Sequence, residues 1–271
     1  MKPDISLEWD SGPAAEHRSA AEIYASVGLA VPSATHAGVD DADDRIGTVS
    51  ARHEGRLLGW VSLYRQSDAG LRAQGERAGR LARRLVRGAY DGDAPTTAEE
   101  REAVRMMYRR AAEQARAAGA HVLRWTGTDT GPEGEAAHEL AAKATGEIAR
   151  IWTIDPADWL LPGGLPAVRV RSLPTPHVGV IGEGAEIIAT LASGEAYINA
   201  AEAIVAPGVE ADMLAAVLAE LVRLLRREYP DVYELAVFEF DGDIGGTVRQ
   251  ALPLAGLRIE HRLLDYELRL A

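Results

Sequence analysis

Cysteine is absent from the 271-residue chain. That one absence excludes disulfides, a thiol nucleophile and thiolate metal sites. No apolar run is long enough to cross a bilayer, and the N-terminal MKPDISLEWD has no signal-peptide core, so the cytoplasm is the expected location and a membrane is not an expected partner. Positive charge is in deficit: 29 Lys and Arg stand against 41 Asp and Glu, for a formal net charge of −12. Nucleic acid is therefore not an expected partner either, because neutralising phosphates needs a basic surface. The chain also lacks a GxSxG nucleophile elbow, an HExxH zinc motif and a Walker phosphate loop, and no metal site is expected. What remains is an ordinary globular balance, 47% hydrophobic and 26% charged, at a length that suits two modest domains or one large one.

The most legible stretch is TTAEEREAVRMMYRRAAEQARAAGAHVLRWTG, from Thr96 to Gly127. Thr96 and Thr97, with Glu99 and Glu100 three residues on, offer two registers of a capping box. Val104, Tyr108, Ala111, Ala115 and Ala118 then recur at helical spacing, and the arginines keep mostly to the other side. Gly119 can take the left-handed conformation that ends such a helix, and HVLRW follows as a short β-rich run. A second copy begins after Pro207-Gly208: Leu214, Val217, Leu218, Leu221, Leu224 and Leu225 form the apolar face, Pro230 closes the helix, and Val232 to Phe240 reads as a strand. A small-residue helical stretch and further strand follow each copy. The chain thus reads as two related halves, with a period far too long for a solenoid.

Elsewhere the pattern is plainer. DISLEW is a first strand, and Ser11-Gly12-Pro13 starts a helix whose apolar face holds Ile23, Tyr24 and Val27 before Gly28. The loop from Val31 to Asp44 crowds Asp40, Asp41, Asp43 and Asp44; a cation or basic acceptor would suit it, but without fixed ligand spacing it reads as a solvated loop. IGTVSARHEG and RLLGWVSLYRQ form a hairpin turning at Glu54-Gly55. The stretch 67–93 is the one strongly basic segment, with Arg72, Arg77, Arg80, Arg83, Arg84 and Arg87. Within it LARRLVRGAY fits a strand with Arg83 and Arg87 on one face, or a helix with Leu81 and Leu85 inward. Residues 155–176 are dense in Pro and Gly, the natural boundary, where Trp152 and Trp159 are expected to pack at the junction of the halves. Beyond it come three short strands, then the second long helix. Gly182-x-Gly184 there lacks the third glycine of a dinucleotide fingerprint and reads as a β-turn.

The order Val205-x-Pro207, loop, helix, strand, helix, strand resembles the acyl-CoA-binding core of the GNAT acyltransferase superfamily, and the doubling is similar to its tandem members. The resemblance implies an α/β (α+β) tandem fold with two mixed β-sheets flanked by helices. The N-terminal domain would span 1–158, a linker 159–176 and an abbreviated C-terminal domain 177–271. It lacks the two helices that would precede its strands and form a lid. The activity so implied is acyl transfer from acetyl-CoA, another acyl-CoA or a carrier thioester to a small-molecule amine; the alternative is a scaffold that binds a small molecule or protein without acyl transfer. A homodimer is open.

The family's pyrophosphate loop has the form Arg/Gln-x-x-Gly-x-Gly/Ala, where free helix-start amides and glycines let a phosphate approach. Laid on that pattern, the first half reads Glu99-Glu100-Arg101-Glu102-Ala103-Val104, and the second Glu210-Ala211-Asp212-Met213-Leu214-Ala215. Both put Glu in the Arg/Gln position and replace the central glycine, by Glu102 and Met213. Donor contacts would fall to Ile204, Val205, Met213 and Leu214 in the second half, with Arg83 and Arg87 as a substitute anion site. The short helix over 131–146 has no tyrosine to protonate the departing thiolate; His138 is its nearest titratable residue and can act as acid or base, or simply sit half exposed. Glu202 and Asn199 fall where the family places its general base, and only Glu202 can take a proton; an ordinary rim carboxylate is the plainer alternative.

Overall fold

The computed structural model describes residues 4–31, 44–66, 70–87, 96–173, 178–192, 194–240 and 246–270. Of the acidic loop, Asp40, Asp41 and Asp43 lie outside them. The architecture is mixed α/β, in two compact units: Met1–Gly146 with Leu264–Ala271, and Glu147–Leu263. Among the described residues no helix is long and apolar enough to cross a membrane, and no cluster of three His, Asp or Glu could hold a metal ion.

The first unit runs β1 (Ile5–Asp10), α1 (Ala15–Ser26), β2 (Arg45–His53), β3 (Arg56–Arg65), β4 (Gly70–Arg77), α2 (Ala78–Arg87), α3 (Ala98–Ala117), β5 (Val122–Thr128) and α4 (Pro132–Glu139). Strands β1 to β4 are antiparallel neighbours in sequence order, and β5 lies parallel to β4. The β2–β3 hairpin turns through Glu54 (φ 50°) and Gly55 (φ 79°), two left-handed residues whose twist matches the flanking strands. Helix α3 lays Ala103, Val104, Met107, Tyr108, Ala111 and Ala115 on one sheet face, against Val61, Leu63, Leu123 and Trp125. The Tyr108 and Trp125 ring centroids are 5.2 Å apart.

The strand reading of LARRLVRGAY is corrected: the strand lies just before it, at Gly70–Arg77, and residues 78–87 are helical. The period decides. Leu71 and Ala73 are buried among the α3 core while Arg72, Gln74 and Glu76 take the other face, whereas Leu81 and Leu85 are one helical turn apart and both pack on Trp60 and Ile23.

Helix α4 is also shorter than the 131–146 stretch expected. It ends in a Schellman motif, with the Ala142 amide donating to the Ala137 carbonyl (2.9 Å) and Ala141 in the left-handed region at φ 58°. Helix α3 ends the same way, but with Gly119 (φ 78°) in the strained place. Ala141→Gly is therefore expected to stabilise the protein by about 0.5–1 kcal/mol, less strain against a more flexible unfolded chain, read as a higher urea midpoint at unchanged slope.

The second unit takes β6 (Lys143–Ile154) from Glu147 on, then β7 (Val170–Ser172), β8 (Val178–Gly182), β9 (Ala185–Ala192), β10 (Glu195–Asn199), a 3₁₀ turn (Ala200–Glu202), β11 (Ile204–Val205), α5 (Ala211–Glu228), β12 (Glu234–Phe240), α6 (Gly246–Leu254) and β13 (Arg258–Arg269), whose residues from Leu264 on belong to the first unit. Among its described residues no α-helix precedes β8, as the abbreviated reading expects. β10 and β12 are parallel and α5 is the crossover between them, repeating the plan of β4, α3 and β5. Leu214, Val217, Leu218, Leu221, Leu224 and Leu225 all enter the core.

The expectation that Trp152 and Trp159 pack at the junction of the halves is corrected. Both are buried in the second unit's own core. Trp159 Nε1 donates to the Ala255 carbonyl (3.0 Å) at the end of α6, and Arg226 on α5 donates to the Trp159 carbonyl (3.3 Å). The indole supplies apolar area and its one polar atom finds a backbone partner, which is how a tryptophan is buried without loss.

Candidate active site

The start of a helix draws anions because its first amides lack intrahelical partners. In the first unit that demand is met from within. Glu100 N–H donates to Thr97 Oγ1 (3.1 Å) and Thr97 N–H donates to Glu100 Oε2 (3.0 Å), so one of the two possible capping-box registers is realised. The Glu100 side chain is buried, and Gly79 at the start of α2 abuts it so closely that a Cβ there would stand 2.3 Å from Glu100 Oε1. Arg77, also buried, donates to Thr96 Oγ1 and lies 3.8 Å from the Glu133 carboxylate. A phosphate brought here would meet a fixed carboxylate in its place.

In the second unit, Asp212 Oδ1 accepts the Met213 amide (2.7 Å), and the Leu214 amide already donates to the Glu210 carbonyl (3.0 Å). The Leu214 side chain is buried in the core, while Met213 is half-buried. Asp212 is exposed, so this carboxylate is less committed than Glu100.

The two parallel pairs differ beyond their last paired residues. β4 and β5 pair only from Gly70↔Val122 to Arg72↔Arg124. Arg72 then donates to Thr126 Oγ1 (3.2 Å), whose hydroxyl donates to Asp265 (2.7 Å). Deeper in, the Tyr108 hydroxyl sits under Gly75, where a Cβ would stand 2.8 Å away. Burial holds the Tyr108 hydroxyl well above its ordinary pKa, with the Glu133 charge adding to the rise, so it is neutral at any physiological pH.

β10 and β12 pair through Asn199↔Phe238, after which the chain leaves β12 for the 3₁₀ turn and pairs β11 with β9. There Asn199 Nδ2 donates to Glu202 Oε1 (3.2 Å) and the Glu202 carboxylate is exposed. The Ala206 amide donates to the Gly184 carbonyl (2.8 Å). By the alternation of an antiparallel ladder, the Val205 N–H and C=O then point away from β9. Ile204 is 63% exposed. The next residue of β12 after the last pair is Glu239, only 1% exposed, which accepts from Trp152 Nε1 (2.6 Å) and from Arg249 Nε.

Glu202, Asn199, Ile204 and Val205 are thus brought into one turn of the second unit. His138 is exposed on α4 of the first unit, Arg83 is half-buried on α2, and Arg87 closes α2 with its side chain outside the described residues.

Sequence reasoning missed a polar row on the first unit's other sheet face. Asp10, Thr48, Ser62 and Gln74 face one another across β1 to β4. Thr48 and Ser62 are buried, with their hydroxyls 3.0 Å apart. Beside the row, the Tyr64 hydroxyl donates to Glu16 Oε2, and Arg45 Nη1 lies 3.5 Å from the same oxygen. Burial first, and Glu16 second, raise the Tyr64 pKa. The alternation of Thr48 and Ser50 with Val49 and Ala51 was the available signal. The two buried hydroxyls satisfy each other, as buried polar groups generally must.

No family model matches the chain, and no curated protein matches it. Solved structures do. A tandem GNAT protein from the clavulanic acid biosynthesis pathway matches with a TM-score of 0.47 at 12% identity, over 98% of this chain and 99% of that one. A GNAT-family acetyltransferase from Colwellia psychrerythraea matches with a TM-score of 0.47 at 11% identity, over 98% and 100%. A GCN5-related N-acetyltransferase from Sphaerobacter thermophilus matches with a TM-score of 0.44 at 12% identity, over 100% and 97%. The chain is similar to these GNAT proteins along its whole length.

Proposed function

We propose that the protein is an N-acyltransferase that takes an acyl-CoA thioester in its second unit and acylates a small-molecule amine. The observation that carries this reading is the parting of β10 from β12 after Asn199↔Phe238, with the exposed Glu202 carboxylate held by Asn199 at that point. The amine nitrogen bonds to the activated acyl carbon of the thioester, the carbon–sulfur bond breaks, and CoA leaves as a thiolate that takes up the second proton lost by the nitrogen. The outward N–H and C=O of Val205 offer an extended amide-bearing chain one donor and one acceptor, and Ile204 offers it apolar contact. Glu202 accepts the proton that the acceptor's ammonium must shed before its lone pair can attack, and Asn199 fixes the carboxylate's orientation. Donor phosphates would not sit on the axis of α5, where Asp212 already takes the Met213 amide.

A thermal shift with acetyl-CoA tests the reading. Ligand at 100 times its dissociation constant should add about 2.7 kcal/mol of stability. The carboxylates at the starts of both α3 and α5 favour a second reading, a binding scaffold without acyl transfer. Absence of any shift with acetyl-CoA at saturating concentration would decide for that one.

A further inference from the structure

A cavity of about 260 Å³ opens in the first unit between α1, β3, β4 and α2. Its lining combines Tyr24 and Trp60 with Glu16, Gln74, Glu76 and Arg84. We propose that this cavity binds a free amino acid with an apolar or aromatic side chain, the ammonium on Glu16, the carboxylate on Arg84 and the side chain against Trp60 and Tyr24. The site is independent of acyl transfer, since no donor enters the reading.

The complementarity rests on which atoms are already engaged. Glu16 meets both Tyr64 Oη and Arg45 Nη1 through the same oxygen, Oε2. Among the described residues nothing else engages its Oε1, which can accept from a ligand, and a charged acceptor is worth most to a charged donor. Glu76 is engaged through both oxygens: Oε1 lies 3.3 Å from Arg80 Nε, and Oε2 accepts from Arg84 Nη2 at 3.1 Å. Glu76 is therefore not a second cation site; it anchors Arg84. A guanidinium has five N–H donors in a fixed fork, so Arg84 retains donors that suit a carboxylate. Trp60 is buried and belongs to a small cluster with Ile23, Leu57, Ala78 and Leu81, which makes the inner wall apolar and rigid. The cavity is small for a nucleotide or drug-sized ligand and suits a metabolite of amino-acid size.

Titration calorimetry with L-leucine and L-phenylalanine, without any CoA, reads the proposal. Leucinamide lacks the carboxylate and N-acetyl-leucine lacks the ammonium; each is expected to bind at least about tenfold more weakly than leucine. Arg84→Gln should abolish the preference for leucine over its amide, and Glu16→Gln the preference over N-acetyl-leucine, with unliganded melting curves as the check on folding. Two results would overturn it: neither amino acid binding below about 10 mM, or both blocked forms binding as tightly as leucine. The ligand-side comparison needs no variant and so does not depend on how the substitutions fold. An acyltransferase lacking acetyl-CoA binding would leave this result untouched, and the converse holds as well.

Discussion

Glu202→Gln is expected to lower acyl-transfer turnover by about 100- to 10,000-fold, the usual contribution of a positioned general base. Glutamine keeps the oxygen that accepts from Asn199 Nδ2 at 3.2 Å and loses only the capacity to take a proton. The residue is exposed on a 3₁₀ turn, so the melting temperature should stay within a degree or so of wild type, a surface substitution costing at most about 0.5 kcal/mol. The split between kinetic constants is diagnostic. A base acting in the transition state should show in kcat with KM nearly unchanged. A fall shared between the two constants would point to acceptor binding, and a change below about tenfold would return Glu202 to the status of a rim carboxylate.

The largest expected effect on stability is that of Trp159→Ala, at about 3–5 kcal/mol. Trp159 is 6% exposed, closes one end of the second unit's core and gives its Nε1 proton to the Ala255 carbonyl. Truncation removes the indole, leaves that carbonyl short of a donor and opens a void beside Gly256, whose φ of 93° holds the chain close to the ring. For a unit of this size the loss corresponds to a fall of about 10–20 °C in melting temperature. Trp159→Phe should recover most of it, since the packing returns and only the hydrogen bond stays absent. If alanine left the melting curve in place, the 155–161 segment would have to be loosely held, contrary to its bonds with α5 and α6.

Local chemistry was legible where it was written in adjacent residues. Thr97 and Glu100 declare a capping box three residues apart, Glu54-Gly55 declares a hairpin turn, and the leucine face of α5 declares a helix. Residues 70–90 were harder, because Arg and Leu satisfy a strand period and a helical one over a short run; only the burial of Leu71 and Ala73 on one side and Leu81 and Leu85 on another separates them. The polar row was not legible at all as a row. Asp10, Thr48, Ser62 and Gln74 become neighbours through register, and register comes from pairing between strands that the sequence does not align. Glu239 is a similar case: in VFEF it looks like the polar phase of a half-exposed strand, and its burial depends on Trp152, 87 residues earlier. Glu202 and Asn199 were singled out by resemblance, and the hydrogen bond between them became visible only with the turn itself.

The capping box of α3 has a consequence for how the first unit behaves as its surroundings change. A helix start that takes its counter-ion from solution is as stable as the supply of that ion allows, because occupancy depends on concentration. Glu100 is tethered three residues from the hydroxyl it serves and cannot dissociate. Its local concentration is set by chain geometry, and neither dilution nor competing phosphates change it. The start of α3 is therefore held to the same extent in phosphate-rich and phosphate-poor surroundings.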